Sequence, residues 1–170
     1  MRKNDTLTYE LTGWQTIVIF VYYFVLMLAG AAVAIMIACG LAGDETRMLL
    51  IKKTFAASLS VSGMLCSIQY IKRLYKACIT HRINENCSFW GQVGTMAYFL
   101  LRPFYSFAFV IVMIFALLSG MFAVTGNLDF FINEKFLYLC VIFSSFLGYS
   151  VGHVLDKFES ISKEKIESVK

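Results

Sequence analysis

Four long apolar runs, separated by short polar stretches, constrain this 170-residue chain more than any other feature of it. A helix needs about 20 mostly apolar residues to cross the hydrocarbon of a bilayer. The runs at roughly 16–40, 49–71, 103–125 and 130–153 all reach that length. The first, TIVIFVYYFVLMLAGAAVAIMIACG, contains no charge, and neither does the third, FYSFAFVIVMIFALLSGMFAV. The second carries Lys52, Lys53 and several serines, and the fourth carries Ser144, Ser145 and His153 with Glu134 and Lys135 at its edge. Composition points the same way, with 59% hydrophobic and only 15% charged residues and a single proline, far from a soluble globular chain. The expected fold class is all-α, a polytopic membrane protein of four transmembrane helices. A segment 1–15 precedes the bundle 16–153, and a short C-terminal helix 154–170 follows it. A cleavable signal peptide is not expected, because the basic start is followed by polar residues to Gln15 and the apolar run then exceeds signal-peptide length.

Four crossings leave both termini on one side, and the basic residues choose which side, since Lys and Arg are retained in cytoplasmic loops. Arg2, Lys3, Lys72, Arg73, Lys76, Arg82, Arg102, Lys157, Lys163, Lys165 and Lys170 fall on the side of the termini. Only Arg47, Lys52, Lys53 and Lys135 fall on the other. Both termini are therefore expected in the cytoplasm, with 72–102 as a cytoplasmic loop. Within it, Lys72, Arg73, Lys76, Arg82 and Arg102 are expected to meet a partner protein or anionic headgroups, each worth about 1 kcal/mol near such a surface. Ser88 has the chemistry of a helix cap, and Trp90, Val93, Ala97 and Leu101 follow helical spacing. A single helix over 88–124 would be about 55 Å long, too much for one crossing, and Pro103 should kink or interrupt it at Arg102. The expectation is an amphipathic interfacial helix over 88–101 running into the third span, with a straight extension of that span as the alternative.

Small residues recur at helical spacing in three spans: Gly30, Ala34 and Ala38; Ala56, Ser60, Gly63 and Ser67; and Ser144, Gly148 and Gly152. In lipid such seams serve close helix contact more often than pore lining. They predict a compact bundle that also self-associates. Lys52 and Lys53 straddle the second seam. One reading pairs them with Asp44, Glu45, Asp129 or Glu134; the other makes them a pore mouth or headgroup site.

The tail VLDKFESISKEKIESVK continues the fourth helix, and Glu159, Lys163 and Glu167 form a ladder of alternating sign. His153 and Asp156, three apart, are either a pH-sensitive pair or an ordinary interfacial hydrogen bond. The five cysteines form no C-x-x-C pair, and Cys78, His81 and Cys87 lack the tight spacing of zinc ligands. With no catalytic constellation and no phosphate-cradling glycine loop, neither an enzyme nor a cofactor or metal is expected. Direct nucleic-acid binding is not expected either, because the basic residues hug the membrane.

The stretch LRPFYSFAFVIVMIFALLSG, with its Arg-Pro entry, and the final span FSSFLGYSVGHVLDKFESI resemble small four-helix inner-membrane proteins of bacteria. Some of these are membrane components of anti-phage defence operons, such as the membrane subunit of the Kiwa system. The resemblance covers about a third of the chain and carries no catalytic residue. It implies a homo-oligomer in the bacterial inner membrane working with a cytosolic protein. The function expected is a membrane sensor or scaffold coupled to a cytosolic effector, with a gated ion-conducting pore as the alternative. The orientation predicts that an alkaline-phosphatase reporter fused after Lys170 stays inactive in cells, whereas one inserted near Asp44 is active.

Overall fold

The computed structural model describes residues 9–39, 47–80, 83–84, 89–125 and 134–167. Four helices make up the architecture: α1 Gly13–Ala38, α2 Arg47–Ile79, α3 Phe89–Thr125 and α4 Glu134–Glu167. All four contain stretches long and apolar enough to cross a membrane, within Gly13–Ala38, Leu49–Ile79, Phe89–Gly120 and Glu134–Val154. Two short strands, β1 Tyr9–Glu10 and β2 Ile83–Asn84, pair in parallel with Tyr9 opposite Ile83, tying the start of the bundle to the α2–α3 connection. The start of α1, the end of α2 and the start of α3 meet at this end. Exposed Lys72 and Lys76 lie there, so we call it the basic end.

α1 begins where Thr12 caps it. The Thr12 hydroxyl accepts from the Gln15 amide at 3.4 Å, and the Gln15 side chain accepts from the Thr12 amide at 3.0 Å, a reciprocal capping box. The Gln15 side chain also donates to Gln92 of α3 at 3.4 Å, which sets the two helices in register. Nearly every long side chain of α1 points outward, among them Ile17, Phe20, Val21, Phe24, Val25 and Leu28. In water that surface would be a large apolar patch; against acyl chains it carries no penalty.

α2 packs most closely against the other helices. A Cβ placed on Gly30 of α1 would stand 2.7 Å from the Ser60 carbonyl oxygen, and one on Gly148 of α4 would stand 2.5 Å from that of Ser62. These helices therefore approach backbone to backbone, as small residues allow when packing rather than hydrophobicity drives association. Gly63 takes the Phe107 ring of α3 at similarly close range. The buried hydroxyls Ser62 and Ser106 share a 2.6 Å hydrogen bond between α2 and α3. Thr54, Ser67 and Ser144, also buried, bond back to the carbonyls of Leu50, Gly63 and Cys140. Two apolar clusters flank this layer. One contains Leu11, Ile19, Tyr23, Cys66, Tyr70, Leu74, Phe99 and Val151 near the basic end; the other gathers Val110, Ile114, Phe136 and Cys140 toward the far end.

The break expected at Arg102 is absent. α3 is one helix of 37 residues, about 55 Å, with Pro103 inside it, and residues 89–101 belong to it rather than to a separate helix. Pro103 has no amide hydrogen, so the Phe99 carbonyl four residues earlier loses its intrahelical donor. The Tyr23 hydroxyl of α1 donates to that carbonyl instead. A neighbouring helix thus supplies the bond proline removes, which is how prolines are accommodated in membrane helices. The expected loop 72–102 is accordingly reduced, with residues 72–79 in α2 and 89–102 in α3. Gln15, at the start of α1, stands beside Gln92, eleven residues before Pro103.

Tyr23→Phe should cost about 1–3 kcal/mol in unfolding measured in mixed micelles, the penalty of an orphaned buried carbonyl. In a Pro103→Ala background the same substitution should cost a small fraction of that, because the alanine amide restores the helical donor. For the α2–α4 contact, Gly148→Leu should destabilise by about 1–3 kcal/mol or more through overpacking. Ser62→Ala should cost only about 0.6 kcal/mol, the typical worth of an interhelical hydrogen bond in a bilayer.

Candidate functional site

Arg102 lies inside the third span, thirteen residues after Phe89 and eighteen before Gly120. It is 6% exposed, so the expectation that placed it in a cytoplasmic loop is corrected to the bundle interior. An ionisable side chain within a membrane span is costly and marks a functional position more often than a structural one. Its guanidinium carbon sits 4.1 Å from the ring centroid of Tyr98, one turn earlier on α3, and 5.8 Å from that of Tyr70 on α2. Helical side chains lean toward the N-terminus of their own helix, which for α3 is the basic end. That lean carries the charge toward Tyr98 and Tyr70.

Arg73 reaches the same ring from α2, with its guanidinium carbon 5.4 Å from the Tyr70 centroid. Its own lean points into the bundle, because α2 runs toward the basic end. Two cations therefore stand within 6 Å of one fully buried tyrosine. Around them the aromatic groups interlock: Tyr23 stacks on Tyr70 at 5.7 Å, Phe99 meets Tyr70 edge-on at 6.1 Å, and Tyr9 of β1 lies 5.3 Å from Phe99. Aromatic faces attract guanidinium groups, with about 2 kcal/mol or more when the contact is desolvated. The cluster thus lowers the cost of holding charge away from water.

Gly152 of α4 completes the arrangement. A Cβ there would lie 2.9 and 3.1 Å from the two terminal nitrogens of Arg73 and 3.0 Å from the Tyr70 hydroxyl oxygen. Three polar tips therefore converge against bare α4 backbone. The Tyr70 hydroxyl has no hydrogen-bond partner among the described residues, and the buried Gln69 side-chain oxygen next to it in sequence has none either. Chemically, the site offers directed donors and positive charge in a poorly hydrated setting.

The other expected positions are distributed over the bundle. Gly30, Ser60, Gly63, Gly148 and Gly152 lie at contacts between helices of one chain, and Ser67 and Ser144 are buried. Ala34 is half-buried, whereas Ala38 and Ala56 are exposed. Lys52 is exposed and Lys53 half-buried near the start of α2, far along the helix from the arginine cluster. Lys72 and Lys76 are exposed beside Arg73, and His153 is exposed on α4 next to Gly152. Arg82, Asp44, Glu45, Asp129 and the Asp156 side chain lie outside the described residues. No group of His, Cys, Asp or Glu suited to a metal ion occurs among the described residues.

Sequence reasoning missed Tyr70, Tyr98 and Gln69, and a polar stripe through Thr54, Ser58 and Ser62 at four-residue spacing, all of them buried except half-buried Tyr98. The four-residue spacing of that stripe is a signal that could have found it. The seam at 56, 60, 63 and 67 lies on a different face of α2. Compared with models of protein families, with curated proteins and with solved structures, the chain matches none.

Gly152→Val should displace the Arg73 guanidinium from the α4 backbone. The expected result is a loss of about 1–3 kcal/mol in unfolding measured in mixed micelles, through overpacking, and a smaller loss for the same substitution in an Arg73→Ala background, where the colliding guanidinium is gone.

Proposed function

We propose that this chain is a homo-oligomeric membrane sensor and scaffold that couples the bacterial inner membrane to a cytosolic effector. The carrying observation is Arg102, an ionisable group held 6% exposed within a membrane span and sharing the Tyr70 ring with Arg73. Such a buried charge responds to changes in hydration, lipid or field that leave an apolar core indifferent. The helices that hold it are long. α2, α3 and α4 have 33, 37 and 34 residues, about 50 to 55 Å each against about 30 Å of hydrocarbon. A shift at the cluster is therefore transmitted along continuous helices to a surface outside the lipid.

The bias of Lys and Arg supports placing the basic end in the cytoplasm. That end also holds both tryptophans, exposed Trp14 and Trp90, with Phe89 packed edge-on against Trp90 at 5.8 Å. Aromatic side chains of this kind anchor at a headgroup interface. Beyond them, Tyr75, Lys76 and Ile79 on α2 are exposed and available to a protein partner. The seam residues left exposed, Ala38 and Ala56, favour close approach of a second copy. A role in phage defence is what the likeness to inner-membrane defence components adds to this reading.

A pore is the weaker alternative. The backbone-close contact of Gly30 at Ser60 and the Phe107 ring against Gly63 occupy the middle of the α2 seam within one copy, so conduction calls for an axis between copies. Purified protein in planar bilayers is expected to show no unitary conductance, while a photo-crosslinker at Tyr75 captures a discrete cytosolic protein in cells and one at Phe146 captures none. Reproducible single-channel currents altered by Lys52→Ala with Lys53→Ala would replace the scaffold by the pore.

A further inference from the structure

We infer that the outward face of α4, a stripe through Tyr138, Ile142, Phe146, Tyr149 and His153, is where a second copy of this chain packs, with the Tyr149 hydroxyls hydrogen-bonded across the contact. These five residues recur at spacings of four, four, three and four, and all are exposed. Such spacing draws one seam along a helix, the geometry in which parallel helices pair. Depth sets Tyr149 apart from an ordinary lipid-facing aromatic. Lys52 and Lys72, both exposed on α2, stand twenty residues apart. That is about 30 Å along the axis and matches the hydrocarbon, whose edges lysines occupy. Ser62 is midway between them. Gly148 meets the Ser62 backbone, so Tyr149, the next residue, lies at the middle of the membrane. It is 52% exposed and makes no hydrogen bond among the described residues. Tyrosines of membrane helices gather at headgroup level, where the hydroxyl finds water. At the centre of the bilayer a hydroxyl turned to lipid finds none, and an unmet polar group there is costly. His153, one turn further on and still inside the span Glu134–Val154, adds a second exposed hydrogen-bonding side chain to the same seam.

A second copy meets this need where acyl chains do not. Copies insert in the same orientation, so about a two-fold axis along the membrane normal each residue of α4 meets its counterpart at the same height. A tyrosine hydroxyl both donates and accepts, which makes Tyr149 complementary to itself. Tyr105 of α3 is also exposed near this height, one residue before Ser106, which bonds to Ser62. Helical side chains lean toward the N-terminus of their own helix. For Tyr105 that direction is the basic end, away from the middle of the membrane, whereas Tyr149 leans across the middle. The exposed neighbours of Tyr105 on its stripe, Leu101, Ala108 and Val112, are apolar. The polar contact therefore falls on α4.

This contact rests on the homo-oligomeric reading of the protein, and two measurements on the purified full chain separate their failures. In the first, a photo-crosslinking residue replaces Phe146, Val112 or Ala38 in turn, and the chain is irradiated in phosphatidylglycerol–phosphatidylcholine vesicles. A covalent dimer is expected from Phe146 on α4, and none from exposed Val112 on α3 or exposed Ala38 on α1. In the second, energy transfer between copies labelled at the C-terminus is followed as the chain is diluted with lipid. Association should weaken about threefold with Tyr149→Phe and about tenfold when His153→Leu is added, the worth of one and two interhelical hydrogen bonds in a bilayer. Tyr105→Phe should leave it unchanged. Energy transfer undiminished in the double variant, or dimers from Val112 or Ala38 in place of Phe146, overturns the α4 contact while leaving a homo-oligomer standing. Energy transfer absent at every dilution overturns both. Capture of a different membrane protein by the Phe146 probe in cells, in place of the chain itself, also overturns the inference.

Discussion

The bond from the Tyr23 hydroxyl to the Phe99 carbonyl is the constraint on which the rest of the bundle depends. Pro103 removes the only intrahelical donor that carbonyl has, and nothing in a lipid environment would replace it. By donating from α1, Tyr23 lets α3 run through the proline as one helix and at the same time locks α1 to α3 at that height. The tyrosine is fully buried and stacked on Tyr70, so its position is over-determined by packing as well as by hydrogen bonding. Continuity of α3 in turn carries Arg102 into the interior instead of leaving it on a connecting loop.

Glycine and serine do the remaining work of assembly. Backbone contact at Gly30 and Gly148 brings α1 and α4 tightly onto α2, and serine hydroxyls either join helices, as Ser62 and Ser106 do, or turn back onto their own backbone. Large apolar side chains are turned outward, the reverse of a water-soluble bundle, because lipid solvates them and the interior does not need them. The interior is consequently more polar than the perimeter. Two arginines sit against the tyrosines of the buried apolar cluster near the basic end.

The arginine cluster gives the bundle a chemically distinct element in an otherwise simple scaffold. Cation–π contacts with Tyr98 and Tyr70, the short strap through β1 and the glycine at 152 hold the charges in defined places. Defined charge in a low-dielectric site gives a system sensitivity: small changes in hydration or ligand produce large energetic differences there.

By itself the sequence determined the all-α class and the four helices long and apolar enough to cross a membrane, because each apolar run is long enough to span the hydrocarbon as a helix. It also showed the small-residue positions, since four-residue spacing survives in any helix. It could not show that Gly30 and Gly148 face Ser60 and Ser62, since periodicity names a face but not its neighbour. Nor could it reveal the fate of Pro103: local rules break a helix there, and only the hydroxyl of Tyr23, arriving from a helix distant in sequence, overrides them. Tertiary structure alone decided that Arg102 and Arg73 share one tyrosine, because the two come from antiparallel helices whose relative height is set by the Ser62–Ser106 hydrogen bond and the Phe107 ring against Gly63.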